Sequence, residues 1–386
     1  MLITELNKKA LDVLNNTFGY SSYRYEQEKI INSVLLGNHT LAIMPTGAGK
    51  SLCYQIPAII SSKKTVVISP LISLMDDQVS ALKECGIQAA KIHSDMTYDE
   101  RSSSWNNFKN GKEKIIYLSP EKIMSEDFLN QLKTLDVGLF VIDEIHCVSK
   151  WGHNFRPDYN QLSQLKSLFP NSNIIGFTAT ADQTTRLDIL EKIFNKNVNV
   201  FISSLDRPNL SLSITQKTNW KSQLLEYLRD RKSQSGIIYC LSKKKTEEVT
   251  SLLNDKGFNA STYHAGLDGQ VRKNVQDTFM TEQAHIVVAT IAFGMGIDKP
   301  DIRFVIHLNL PGSVEAYSQE IGRAGRDGNT SDTLLIYGLD DLVIRRRMIE
   351  ENSSEDKFKF QENKRLDYLL SYCETPECRR KVLLSY

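Results

Sequence analysis

Bulk charge is the first thing this 386-residue chain lacks: 47 Lys and Arg stand against 46 Asp and Glu, a net of +1. That excludes a grip on nucleic acid or a membrane surface through overall charge, so any polyanion must be held in a local groove. Cysteine is scarce too. The six, at 53, 85, 147, 240, 373 and 378, are scattered and several sit among apolar residues. Such usage suits reduced thiols in a cytoplasmic protein and not a disulfide framework. No run approaches the roughly 18 apolar residues of a membrane span. The N-terminal MLITELNKKALDVLNN carries Glu5, Lys8 and Lys9 where a signal peptide would be apolar, and reads as an amphipathic helix. No internal repeat is visible.

What is present is alternation. The length exceeds the roughly 250 to 300 residues at which one core stops growing, so two domains are expected. Short apolar runs, TLAIM (40–44), TVVIS (65–69), KIIYLS (114–119), VGLFVI (137–142) and NIIGFT (173–178), alternate with stretches of helical period. This predicts an α/β fold with a parallel sheet covered on both faces. FISSLDRPNLSLSITQ (201–216), polar and interrupted by Pro208, reads as the linker. A second alternating series follows: GIIYCL (236–241), NASTYH (259–264), AHIVVAT (284–290), IRFVIHL (302–308) and DTLLIYG (332–338). After about Asp340 only helical period remains. The Lys243–Lys245 and Arg345–Arg347 clusters read as solvated helix surface.

Three stretches carry chemistry. MPTGAGKS (44–51) lies between a strand and a helix, as a phosphate loop does, although Met44 stands where the usual pattern has Gly. There the backbone of Thr46, Gly47, Ala48 and Gly49 would cradle phosphate. Lys50 would reach the terminal phosphates, and the Ser51 hydroxyl would hold Mg²⁺. At the end of VGLFVI, Asp143 would hold the same Mg²⁺ through water and Glu144 would polarise an attacking water. QEIGRAGRDG (319–328) spaces Arg323 and Arg326 three apart, on one face if the segment is helical. Cations from the second unit would then meet a nucleotide held by the first, as an arginine finger does.

TGAGKS, DEIH, FTAT and QEIGRAGRDG in two tandem units resemble a superfamily 2 helicase, and in finer detail the RecQ family of DNA helicases. In that superfamily the first motif begins with a residue other than Gly, so Met44 is in place. The resemblance covers the chain from about residue 5. It implies two tandem RecA-like parallel-sheet domains, at 1–203 and 204–340, and a short C-terminal helical segment, 341–386, that begins a zinc-binding module. ATP and Mg²⁺ are the implied cofactors. FGYSSYRYEQEKII (18–31) resembles the segment that recognises adenine, which would involve Gln27 with Arg24 and Tyr20 nearby. ISPLISLMDDQV and YLSPE resemble strand-contacting motifs, placing Ser69, Pro70, Ser119 and Glu121 on DNA together with His264 and Thr290. VVATIAFGMGIDKPDIRFVIH resembles the motif joining nucleotide and strand contacts, with Asp298 on the nucleotide side. DEIHCVSKWGHNFRPDY (143–159) resembles the family's acidic motif and aromatic-rich loop.

That loop lacks strand or helix period and exposes Trp151, Phe155 and Tyr159, which suits base stacking. Trp151, Phe155 and Arg156 are expected to sense the strand and reposition Asp143 and Glu144. Two departures from the family, Ala48 for Gly and Ile145 for Ala, remove no chemical group. At the other end, Cys378 fills the first zinc-ligand position, but Cys373 and Cys378 alone do not make a tetrahedral site, so no zinc is expected in this chain. The implied activity is ATP-driven 3′ to 5′ movement on single-stranded and forked DNA in repair and recombination. The implied protein is a cytoplasmic monomer, nucleoid-associated in a bacterium. Two rivals stand beside it: a DNA-stimulated ATPase that unwinds poorly, and a non-catalytic nucleic-acid scaffold. An RNA helicase fits less well, because the 143–159 loop points to DNA.

Overall fold

β-Branched and aliphatic runs form the strands of two separate parallel sheets, one in each of the units Met1–Leu205 and Asp206–Tyr386. The coordinates are a computed structural model that describes residues 2–149, 156–179, 181–204, 206–294, 297, 299–352 and 356–385. In the first unit the strands are β1 (Thr40–Ile43), β2 (Lys64–Ile68), β3 (Ala89–Ile92), β4 (Ile115–Leu118), β5 (Val137–Ile142), β6 (Asn173–Thr178) and β7 (Asn199–Ile202). They lie in the order β3-β4-β2-β5-β6-β1-β7, every pair parallel. The second unit holds β8 (Leu210–Gln216), β9 (Ser235–Tyr239), β10 (Asn259–Tyr263), β11 (His285–Ala289), β12 (Ile302–His307) and β13 (Ser331–Tyr337). Their order is β10-β11-β9-β12-β13-β8, again all parallel.

A parallel sheet needs helices on both faces, so its central strands read as nearly continuous apolar runs. In β5, Phe140 and Ile142 point into one core and Leu139 and Val141 into the other. In β9, Tyr239 and Ile237 join one core while Ile238 joins its opposite. Each such side chain, fully buried, contributes about 1.5–3 kcal/mol. Helices Leu339–Asn352, Asp356–Glu374 and Arg379–Ser385 follow the last strand, and Leu369, Tyr372 and Cys373 are buried in the second unit's core.

The segment 201–216 does contain the division between the units, after Leu205, but both of its ends are strand and not linker. Asn199–Ile202 pairs with β1 and Leu210–Gln216 pairs with β13, so both are edge strands. An edge strand has one neighbour and tolerates polar side chains; the Leu210, Leu212, Ile214 alternation was the overlooked signal. β3 was missed for a related reason, being a short edge strand with Lys91 at its centre.

Candidate active site

Strand order brings the chemistry of the first unit together. β1, β6 and β5 are consecutive neighbours, so the loop after β1 and the acidic motif after β5 flank the end of β6. Thr178, the last residue of β6, bridges them. Its carbonyl accepts from Met44 N–H at 2.9 Å, and its hydroxyl lies 2.9 Å from His146 Nδ1. In the loop, Gly47 and Gly49 have φ of +80° and +74°, a region that disfavours side chains. Helix Leu52–Ile60 follows with Ser51 at its N-cap, so the positive end of the helix dipole lies at the end of this loop.

Gln27 is buried and grips this loop. Its amide nitrogen donates to the carbonyls of Ala48 and Gly49, each at 3.1 Å, and its oxygen accepts from Arg24 N–H at 2.8 Å. A Cβ on Gly49 would run into that amide nitrogen. Arg24 also lies 5.8 Å from the Tyr20 ring centroid, and Tyr20 is exposed. The structure thus gathers Tyr20, Arg24, Gln27 and the 46–51 loop at one place.

The acidic pair is under strain of two kinds. Glu144 has φ +47° and ψ +45°, unusual for a residue with a side chain and costing on the order of 1–3 kcal/mol. Asp143 has its carboxyl raised from 3.8 to about 6, first by burial and next by the charge of Glu144, with Lys50 pulling the other way. Glu144 in turn lies 3.3 Å from His146 Nδ1. Burial opposes protonation of His146, but contacts with Cys147 and Glu144 outweigh it and raise its pKa. A dication would relieve the crowding of Asp143, so the donor set of Ser51 and Asp143 fits magnesium.

Behind the pair, Tyr159 is fully buried and its hydroxyl donates to the Asp143 carbonyl at 3.0 Å. This corrects the expectation of a loop-exposed Tyr159. The segment turns helical at Pro157–Asn160, which returns the ring to the core. Arg156 donates to the Pro70 carbonyl at 3.0 Å, so the acidic motif's trailing segment is tied to the turn after β2. Trp151, Phe155 and Asp298 lie outside the described residues. Among the other strand-contact candidates, Ser69 and His264 are buried, with His264 Nε2 3.2 Å from Glu247. Ser119 caps helix Pro120–Ile123 and Glu121 is exposed. Thr290, half-buried, donates its N–H to the Tyr263 carbonyl.

In the second unit Arg323 and Arg326 do not share a helix face. Helix Val314–Ile321 ends before them and Gly325, at φ +58°, turns the chain. Arg323 is buried, and its guanidinium donates to the Gly294 carbonyl. Arg345, assigned above to solvated surface, instead donates to the Leu310 carbonyl at 2.9 Å.

Three families match in succession: DEAD/DEAH box helicase over residues 24–188, helicase conserved C-terminal domain over 219–328, and RecQ zinc-binding over 339–386. The ATP-dependent DNA helicase RecQ of Pasteurella multocida is 44% identical over 381 residues, covering 99% of this chain and 60% of that protein. That of Bacillus subtilis is 40% identical over 380 residues, covering 98% and 64%. The chain belongs to the RecQ family of helicases. It spans about 60% of the length of the bacterial RecQ proteins it matches.

Solved structures extend the likeness to the fold. Mycobacterium smegmatis helicase Lhr bound to ssDNA and AMP-PNP aligns with TM-score 0.67 at 20% identity, over 90% of this chain and 49% of that one. The DUF1998 helicase MrfA bound to DNA gives 0.70 at 20%, over 91% and 54%. For the zinc-binding match, this chain's own residues offer buried Cys373 and exposed Cys378. Among the described residues no three His, Cys, Asp or Glu side chains converge as metal ligands. These residues alone therefore do not fit a four-ligand zinc site. No helix among the described residues is long and apolar enough to cross a membrane. Thr178 and His146 are the site residues that motif reading passed over, and Tyr159 is the one it placed wrongly. The FTAT and DEIH runs contained the first two, but only the strand order shows that they touch.

Proposed function

We propose that this chain is the motor of an ATP-dependent 3′ to 5′ DNA helicase. Residues 1–203 and 204–340 are its two RecA-like domains, and 341–386 begin a zinc-binding module. The observation that carries the reading is the loop after β1, held by Gln27 beside an acidic pair whose Asp143 is poised for a cation. Lys50 and the loop N–H groups would hold the phosphates; Tyr20, Arg24 and Gln27 would bind the base, and Asp298 would add a contact. A magnesium ion held by Ser51 and Asp143 would screen phosphate charge. Glu144 would accept a proton from the attacking water as that oxygen bonds to the terminal phosphorus and the bond to the bridging oxygen breaks. Arg323 and Arg326 would stabilise the charge that develops.

Single-stranded DNA would contact Ser69, Pro70, Ser119, Glu121, His264 and Thr290, largely through its backbone, so that any sequence passes. Trp151 and Phe155 would stack on bases. Arg156, bonded to the Pro70 carbonyl and one turn from Tyr159, would carry strand occupancy to Asp143. The test is ATP turnover with and without single-stranded DNA, together with strand separation on a forked duplex. Trp151→Ala should abolish the stimulation by DNA and leave the basal rate; stimulation at the wild-type level would refute the coupling role.

A further inference from the structure

The turn bearing Arg323 and Arg326 is built from carbonyls that no helix satisfies. Its N–H groups close back on the preceding helix: Gly322 to Ser318, Arg323 to Glu320 and Ala324 to Ile321. The carbonyls of Gly322, Ala324 and Gly325 face the other way, and one side chain takes all three. Arg207 donates from Nη1 to Gly322 at 3.2 Å, and from Nη2 to Ala324 and Gly325, both at 2.8 Å. Its Nε donates to Asn209 Oδ1 at 3.3 Å, and Asn209 Nδ2 donates to Gly325 at 2.8 Å and Asn329 at 3.0 Å. A planar fork of five N–H donors fits such a carbonyl cluster; an ammonium cannot reach three diverging acceptors at once. Gly325 cannot be replaced here, because a Cβ would sit 2.5 Å from Asn209 Nδ2 and 2.8 Å from the Asn329 carbonyl.

The 206–210 segment is itself held from the C-terminus. Arg380, on helix Arg379–Ser385, pairs with Asp206 at 2.6 Å and donates to the carbonyls of Arg207 and Leu210. Beyond the turn, Arg303 Nη2 donates to both carboxylate oxygens of Asp327, each at 2.8 Å. That contact fixes the residue after Arg326, whereas the side chains of Arg207 and Asn209 reach the carbonyls of 322–325 themselves.

We propose that Arg207 is a positioning residue for nucleotide hydrolysis: it sets the shape of the 322–326 turn and so aims Arg323 and Arg326, while Arg380 fixes Arg207. The assignment rests on the proposed catalytic role of those two arginines. Arg207 lies in a stretch that reads from sequence as a linker, and the match to the RecQ zinc-binding family includes Arg380. The C-terminal helix thereby gains a route to the catalytic rate that needs no contact with nucleotide or DNA.

The experiment measures kcat and KM for ATP at saturating single-stranded DNA, using the full chain as wild type, Arg207→Gln, Arg207→Lys, Arg326→Ala and the Arg207→Gln/Arg326→Ala double variant. Misaimed catalytic groups cost on the order of 10²-fold in rate. Arg207→Gln should lose about that factor in kcat with KM unchanged, because the phosphate loop lies in the other unit. Arg207→Lys should recover part of the loss. In the Arg326→Ala background Arg207→Gln should cost clearly less than in wild type, since only Arg323 is then left to misaim. Wild-type kcat in Arg207→Gln, or an undiminished loss in the Arg326→Ala background, would overturn the proposal while leaving the arginines' role standing. An unchanged kcat in Arg326→Ala would instead remove that role, and the proposal with it. Should circular dichroism show Arg207→Gln unfolded, Asn209→Ala and Arg380→Gln are to show the same pattern, and their failure to do so overturns it equally.

Discussion

Asp143→Asn should make the first unit more stable while abolishing hydrolysis. The carboxyl is raised from 3.8 to about 6, chiefly by burial and then by Glu144. Because the folded value lies above the unfolded one, the native state favours the proton. The contribution of that proton is intact below about pH 4 and is lost as pH rises through 6. At pH 8 the ionised group opposes folding by about 3 kcal/mol. At pH 5 the penalty is about half as large, since the native carboxyl still holds most of its proton. Asparagine keeps an acceptor for the Glu144 N–H bond, 3.0 Å in the native protein, and removes the charge. Urea unfolding without nucleotide or magnesium should therefore show Asp143→Asn more stable by up to about 3 kcal/mol at pH 8 and by about half that at pH 5. Magnesium and nucleotide should then stabilise wild type and not the variant, because only wild type gains a ligand for the cation. Equal stability at pH 8, or a difference that ignores pH, would refute the account of why Asp143 is poised.

Gly176→Ala should destabilise the first unit by about 1–3 kcal/mol, the range for overpacking. Its Cβ would collide with Ile145, whose Cγ atoms would stand 3.3 Å away. The double variant with Ile145→Ala should recover most of the loss, as read by thermal unfolding. Tyr159→Phe should cost about 1 kcal/mol for the bond to the Asp143 carbonyl, and stopped-flow ATPase should show a lower kcat with KM unchanged. Gly49→Ala should abolish nucleotide binding in a fluorescent-nucleotide titration, since its φ of +74° and the Gln27 amide both exclude a side chain.

The buried strands were legible because a strand covered on both faces runs nearly continuously apolar: TLAI, VGLFVI and AHIVVA announce themselves. Of the edge strands, NASTYH (β10) was legible, but β3, β7 and β8 were not. Asn199–Ile202 and Leu210–Gln216 carry polar residues that one-sided pairing tolerates, so they read as linker. The phosphate loop and the acidic pair were legible as local motifs. Their connection through Thr178 was not, because it depends on β6 lying between β1 and β5. Tyr159 was misread for want of a period: four helical residues after Pro157 suffice to bury it. The shared face of the two arginines was conditional on a helix, and the helix ends at Ile321 with Gly322 and Gly325 turning the chain before both residues can lie on it.

The central claim is that the loop around Lys50 binds a nucleotide whose hydrolysis DNA controls. ATP turnover by the full chain, with and without single-stranded DNA and beside Lys50→Ala, tests it most directly. The account predicts a rate that rises when DNA is added and collapses in Lys50→Ala under both conditions. A rate indifferent to DNA, or shared by Lys50→Ala, would contradict it.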